Sequence, residues 1–347
     1  MSEPTAPAET ATGAPSTQPA AESDRALKEP VSHTPRSVAA ARWALPVILL
    51  LFVALFSALR PDTFATTGNF TTILSQEAVL VLLALGAMLP LVVGEFDLSV
   101  GANLGVAATL VAAMTGNHGL STEVGIAIAL AASISVGVVN GLFVAKVGIN
   151  AFVATLAMGS LLSGLVLWGT NGNVINRNIP EALTALGQND LLGIPMPFVY
   201  VIVVALIIGY VLRFTPAGRY LYAVGGSKEA ARLSGLNVTR LTIAAFASAG
   251  LLAGLAGVML TAKLGSANPT TGPDFLLPAF AACFLGATAI RPGTFNVTGT
   301  VVAVLTLAVG TTGLQLLGVA FYIEPIFAGV VLLLAALATR YLRKEQA

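Results

Sequence analysis

Charge is scarce in this chain of 347 residues: Asp, Glu, Lys and Arg make up 10% of it, against 56% apolar residues, and the mean hydropathy is +0.87. A soluble domain carries roughly a quarter of its residues as charges to wet its surface. That shortage excludes a cytoplasmic enzyme, a secreted disulfide scaffold and a nucleic-acid binder. The net charge of +1 implies no polyelectrolyte partner. Cys283 is the single cysteine and stands in an apolar run, so it forms no intrachain disulfide and reads as a small core residue. Histidine is nearly as rare: His33 and His118 both lie outside the apolar runs, which removes a histidine base and any His-rich metal site inside them. No Gly-Lys dipeptide occurs, so the chain has no P-loop to cradle ATP. No run carries an ionisable residue near its middle, as a proton-coupled carrier requires. No cofactor or metal is expected.

What is abundant is apolar sequence in long runs. Ten of them approach the roughly 20 residues that a helix needs to cross a bilayer, near 43–59, 73–93, 98–114, 124–145, 149–168, 197–212, 241–262, 275–290, 297–317 and 321–339. The second and third are separated only by Gly94 to Asp97, and the short eighth run fits a re-entrant or half-spanning segment. Residues 1–40 differ from all of this: they hold six of the 18 prolines among Ala, Thr, Ser and Glu, which predicts a disordered tail, and no apolar h-region marks a signal peptide. The expected fold is all-α, a polytopic bundle of about ten transmembrane helices over 41–341, with a cytoplasmic tail at 1–40 and a short one at 342–347.

Positive residues test that count, since basic loops stay in the cytoplasm. With ten spans and the N-terminus inside, the inner face collects 14 Lys and Arg residues and the outer face keeps only Arg60, Arg177 and Lys263. An even number of spans with both termini cytoplasmic accounts for that split. Trp43 and Trp168 fall at span ends, where amphipathic rings favour the headgroup layer. Glycine pairs at helix-contact spacing, Gly101/Gly105, Gly137/Gly141 and Gly250/Gly254, predict close helix packing and say nothing of cargo.

The long inner loop 213–240 reads RFTPAGRYLYAVGGSKEAARLSGLNVTR. Ser227 is placed to cap a short helix, Lys228 to Ser234 favour helix, and Gly235 suits a left-handed stop. Such a helix between glycine hinges is shaped to dock on a soluble partner; a solvated positive loop that only sets topology is the plainer alternative. Asp97 and Ser99 precede an apolar helix and either cap it or mark a broken helix lining a pathway. Asn103, Asn140, Asn150 and Thr155 are further polar residues in or beside spans, available to a sugar hydroxyl or to a neighbouring helix.

The segment GRYLYAVGGSKEAARLSGLNVTR resembles the cytoplasmic coupling segment of the ribose/monosaccharide permeases of ABC importers, with Glu229-Ala230-Ala231 and Gly235 similar to the signature of importer permeases generally. GEFDLSVG (94–101), INAFVATLAMGSLLSGL (149–165) and LGATAIRPGTFNVTGT (285–300) resemble other stretches of that family, and the likeness runs from about residue 43 to the end. The resemblance implies a permease subunit for a monosaccharide or related polyol in the bacterial inner membrane. It implies a second permease copy, separate ABC ATPase subunits that supply hydrolysis, an external solute-binding protein and surrounding lipid, with no nucleic acid. It also implies that Gly218, Arg219, Gly225, Gly226, Ser227, Lys228, Glu229, Ala230, Ala231, Arg232, Ser234 and Gly235 couple to the ATPase. Two departures stand out: Glu95 replaces a usual glycine, and Arg291-Pro292 replaces small residues. Opposite charges in two short loops on one face predict a Glu95–Arg291 ion pair. A branched-chain amino-acid permease, a stand-alone secondary carrier and a membrane scaffold are the competing readings; the coupling-like loop speaks against the last two.

Overall fold

The computed structural model describes residues 35–320, 322, 323, 325–327 and 329–334. Twelve α-helices dominate these residues. Long apolar helices run over Pro35–Leu59 (α1), Thr67–Val92 (α2), Thr122–Leu142 (α4), Ala151–Thr170 (α5), Met196–Phe214 (α7), Val238–Leu264 (α10) and Val297–Leu316 (α12). Among the described residues, seven helices are long and apolar enough to cross a membrane. Two shorter apolar ones, Val100–Ala112 (α3) and Leu276–Gly286 (α11), occupy the third and eighth runs. The tenth run, 321–339, and the tails 1–34 and 342–347 lie wholly or partly outside the described residues; those described from 325 to 334 are helical. Residues 35–40, expected to belong to the tail, instead form the start of α1.

Helix starts follow the capping chemistry of the sequence. The side chains of Thr66, Ser121, Asn150, Asn237 and Asn296 each accept a backbone N–H at the first turn of α2, α4, α5, α10 and α12, satisfying donors that no helix can pair internally. Two π-helical turns, Ala113–Asn117 after α3 and Phe143–Val147 after α4, extend those helices and were not foreseen. The connection between α5 and α7 also holds a helix absent from the expectations, Glu181–Gln188 (α6), and a two-stranded hairpin pairing Asp190–Leu191 (β1) with Ile194–Pro195 (β2).

The core is built on α2 and α10, of whose spanning residues 72% and 67% are buried, against 11% for α1 and 17% for α7. Apolar residues such as Leu206 and Trp168 remain exposed on α5 and α7, as a surface facing lipid or another subunit requires. Glycine permits the tightest contact. The Gly137 Cα faces the Phe246 carbonyl and Gly250 faces that of Ser133, so a Cβ at either site has no room between α4 and α10. The expected pair Gly101/Gly105 receives Gly272, where a Cβ on Gly101 would lie 2.9 Å from the Gly272 carbonyl oxygen. Gly272 opens the 3-10 turn Gly272–Phe275 that leads into α11. α11 is therefore a half-length helix of 11 residues that starts against the first turns of α3 and ends beside Thr300 of α12.

Candidate coupling surface and buried polar network

The loop 213–240 is not irregular but folds into two helices, Pro216–Gly226 (α8) and Lys228–Leu233 (α9). α8 was not expected. Thr215 accepts from the Gly218 N–H and donates to the Val211 carbonyl at 2.7 Å, turning the chain sharply after α7. Gly218 lets that turn fold flat on Leu212, and Arg219 stays exposed beside it. Tyr222 Oη donates to the Phe295 carbonyl at 2.7 Å, tying α8 to the start of α12. Burial raises the Tyr222 phenol above its ordinary pKa, and the nearby Arg291 guanidinium partly offsets that. Gly225 packs its backbone directly on the Val92 carbonyl at the end of α2, while Gly226 faces open space.

Ser227 then reverses the chain with an extended backbone, and its hydroxyl accepts from Ala230 N at 3.2 Å to start α9. Ala230 is exposed, whereas Ala231 is buried in a small cluster with Val93, Val224 and Ala245. Ser234 caps the helix end. Gly235 adopts φ +81°, and the N–H of Leu236 reaches the Ala231 carbonyl at 3.0 Å, the left-handed stop the sequence predicts. One face of α9 is thus anchored and the other presents Glu229, Arg232 and Leu233, the last 81% exposed. Glu229 and Arg232 face each other at 3.9 Å.

Glu95 does not pair with Arg291 as expected; its Oε1 is bonded to Lys228 Nζ. The reason is the close seat of Gly225 on α2, which carries the start of α9 directly to the α2–α3 connection, whereas Arg291 faces the Tyr222 edge of α8. The Glu95 side chain keeps 14% of its exposure and that of Lys228 47%. A charged clamp therefore joins the surface helix α9 to the connection between α2 and α3.

That connection leads into a buried polar network. Asp97 Oδ1 accepts from Ser99 N at 3.0 Å and from Ser99 Oγ at 2.6 Å, and Ser99 Oγ accepts from Asn140 Nδ2 of α4 at 2.8 Å. Thr155 Oγ1 of α5 accepts from Leu98 N at 3.0 Å and donates to Ala151 O. Asn103 Nδ2, one turn along α3, donates to the Ser133 carbonyl at 3.1 Å. Burial lifts the Asp97 carboxyl to about 6, against the two Ser99 hydrogen bonds, which lower it. The structure so brings together Asp97, Ser99, Asn140 and Thr155, with Asn103 adjacent. It leaves out Asn150, which caps α5 and is exposed. Ser99 occupies the cap position of α3 without a side-chain cap bond; Asp97 takes the backbone N–H instead. Among the described residues, Asn103 Oδ1, Asn140 Oδ1 and Ser133 Oγ are buried with no hydrogen-bond partner. Ser133 was missed because a serine inside an apolar run has no spacing signal of its own. No group of three or more potential metal ligands occurs among the described residues.

A bundle of apolar helices long enough to cross a membrane, closed around a buried polar network, defines a polytopic membrane protein. The sequence model of the family described as branched-chain amino acid transport system / permease component matches residues 69–336, and the chain belongs to that family. It is 39% identical over 294 residues to the ribose import permease protein RbsC of Escherichia coli K12, covering 84% of this chain and 91% of that one. RbsC of Bacillus subtilis is 36% identical over 293 residues, with 84% and 90% covered. The L-arabinose permease AraH of Azospirillum brasilense is 35% identical over 306 residues, with 86% and 88% covered. No solved structure matches the chain. The protein is a multi-pass permease of the inner membrane.

Proposed function

We propose that this chain is the permease subunit of an ABC importer and forms the path for a monosaccharide or related polyol. The carrying observation is the likeness, over more than four fifths of the chain, to permeases named for ribose and L-arabinose. That likeness favours a sugar over the branched-chain amino acid of the family description. A chain without a P-loop needs an engine, so ATP hydrolysis belongs to separate ATPase subunits. They dock on α8 and α9, with Glu229, Arg232 and Leu233 as contacts. The clamp from Lys228 to Glu95 passes their motion to the α2–α3 connection and thence to the Asp97–Ser99–Asn140 network. The loaded binding protein on the other face biases the bundle toward its outward-open form, a shift between states rather than covalent chemistry. A second permease copy completes the path, and ten spans hold both termini in the cytoplasm.

Reconstitution tests this reading. The permease, its cognate ATPase and its binding protein in proteoliposomes should take up a labelled monosaccharide only with ATP, and uptake of leucine in place of sugar would refute the assignment. Orientation is read separately in intact cells with Arg232→Cys, whose exposed site on α9 should resist an impermeant maleimide and react after permeabilisation. Ready labelling in intact cells would overturn the inside placement.

A further inference from the structure

α1 carries a proline inside its helix, and the consequence falls on a distant loop. Pro46 has no N–H, so the Arg42 carbonyl one turn before it loses its helical donor. The N–H of Ile290, in the connection between α11 and α12, takes that place at 3.1 Å. Ile290 makes this bond at φ +61°, a left-handed backbone that a β-branched residue rarely adopts. Arg42 is thereby bonded to the residue that precedes Arg291, and both arginines are exposed. Tyr222, tied by its hydroxyl to the Phe295 carbonyl, lies near Arg291 as well. Neither arginine forms an ion pair among the described residues; Glu95 and Glu229 face Lys228 and Arg232 instead. Neighbouring cations repel, and an anion that meets both offsets that cost.

The surface beside the pair says which anion. Trp43 is 61% exposed, and with the exposed Val47, Leu50 and Leu51 it forms an apolar stripe at helical spacing that starts one residue after Arg42. An indole at a span end marks headgroup depth. A soluble acidic partner leaves that stripe uncovered, whereas an acyl chain covers it. Basic pockets between spanning helices hold anionic lipid headgroups in this way. We infer that the corner between α1 and the α11–α12 connection binds an anionic phospholipid, its phosphate met by Arg42 and Arg291 and one acyl chain laid along Trp43, Val47, Leu50 and Leu51. The inference stands on the membrane-spanning fold and is independent of which solute crosses.

The test uses the full-length permease in bilayers of mixed lipid. Trp43 and Trp168 are the two tryptophans of the chain, so Trp168→Phe leaves Trp43 as the reporter. Quenching of Trp43 by acyl-brominated phosphatidylglycerol, compared with brominated phosphatidylcholine, gives the relative affinity of the corner for the two lipids. Each arginine near an anionic headgroup layer contributes about fivefold. Phosphatidylglycerol should therefore be preferred severalfold, the preference should fall in Arg42→Gln and in Arg291→Gln, and the two lipids should quench equally when both are changed. Arg42→Lys with Arg291→Lys should keep most of the preference, which separates loss of charge from loss of fold. Arg213→Gln removes a cation seated over the Phe214 ring just before α8 and should change nothing; an equal fall there would make the effect one of bulk charge and overturn the site. Equal quenching in the wild type, or an undiminished preference in the double Gln variant, also overturns it. So does a preference abolished by inorganic phosphate, which assigns the arginines to a free anion. Loss of ATPase copurification in the double Gln variant with its lipid preference intact assigns them to that subunit.

Discussion

Removing the charge of Lys228 should harm the protein more than removing that of Glu95, although the two form one pair. The asymmetry comes from exposure: the Glu95 side chain keeps 14% of its surface and Lys228 keeps 47%. In Lys228→Met a nearly buried carboxylate loses its cationic partner and must be desolvated without compensation. In Glu95→Gln the ammonium remains free to turn to water, and the amide still fills its place. A charge-assisted hydrogen bond is worth about 1.5–3 kcal/mol and an exposed ion pair about 0.2–1 kcal/mol, so the pair with one wet end should couple by about 1–2 kcal/mol. A double-mutant cycle on thermal unfolding of the reconstituted permease reads that figure, and Glu95→Gln/Lys228→Met should recover much of the loss seen in Lys228→Met. Sugar-stimulated ATP hydrolysis by the full transporter gives a second readout, which should fall in both single variants if the clamp carries motion. Additivity of the two changes within about 0.5 kcal/mol would refute the pairing. Coupled stability with wild-type stimulation in both single variants would reduce the clamp to a structural tie.

Adjacent glycines in α8 should behave oppositely: Gly225→Ala meets the Val92 carbonyl and should destabilise by about 1–3 kcal/mol, whereas Gly226→Ala meets nothing and should leave the melting temperature unchanged. Asp97 gives a pH signature. Its carboxyl is raised in the fold from 3.8 to about 6, so its protonated form favours the folded state and stability linked to it is lost as pH rises through that window. Asp97→Asn should flatten that loss, and an equally steep decline in the variant would show that other groups cause it. Ser227→Ala removes the hydroxyl that accepts from Ala230 N, and should cost about 1 kcal/mol through fraying of α9, seen as faster amide exchange at Ala230 and Ala231.

Features governed by neighbours in sequence were legible. The cap at Ser227, the stop at Gly235 and the glycine seams each depend on a residue type within a turn or two of its effect, so local chemistry was enough to read them. The half-length of α11 was also visible, because the run around 275–290 is too short to cross a bilayer. Of the candidate pathway residues, Asp97, Ser99, Asn140 and Thr155 converge because each stands at a helix end or interior facing the same junction. Asn150 does not, since the same carboxamide that suits a sugar suits a first helical turn equally well, and spacing alone does not separate the two uses.

The failed ion pair shows where such reading stops. Glu95 and Arg291 have opposite charges, and the α8–α9 segment touches both, Arg291 through Tyr222 and Glu95 through Lys228. What decided the partner was a backbone contact between Gly225 and Val92, residues far apart in sequence whose closeness depends on α8 existing at all. α8 in turn was hidden by its glycines, which read as loop residues, while Gly218 and Gly225 serve instead as points of close approach to α7 and α2. A glycine in a short amphipathic segment therefore carries two opposed signals, a propensity against helix and a licence for contact. Tertiary packing resolves them, and the charge partner follows from that packing: where α8 lies fixes which cation Glu95 meets, and Lys228 is the residue that α8 delivers.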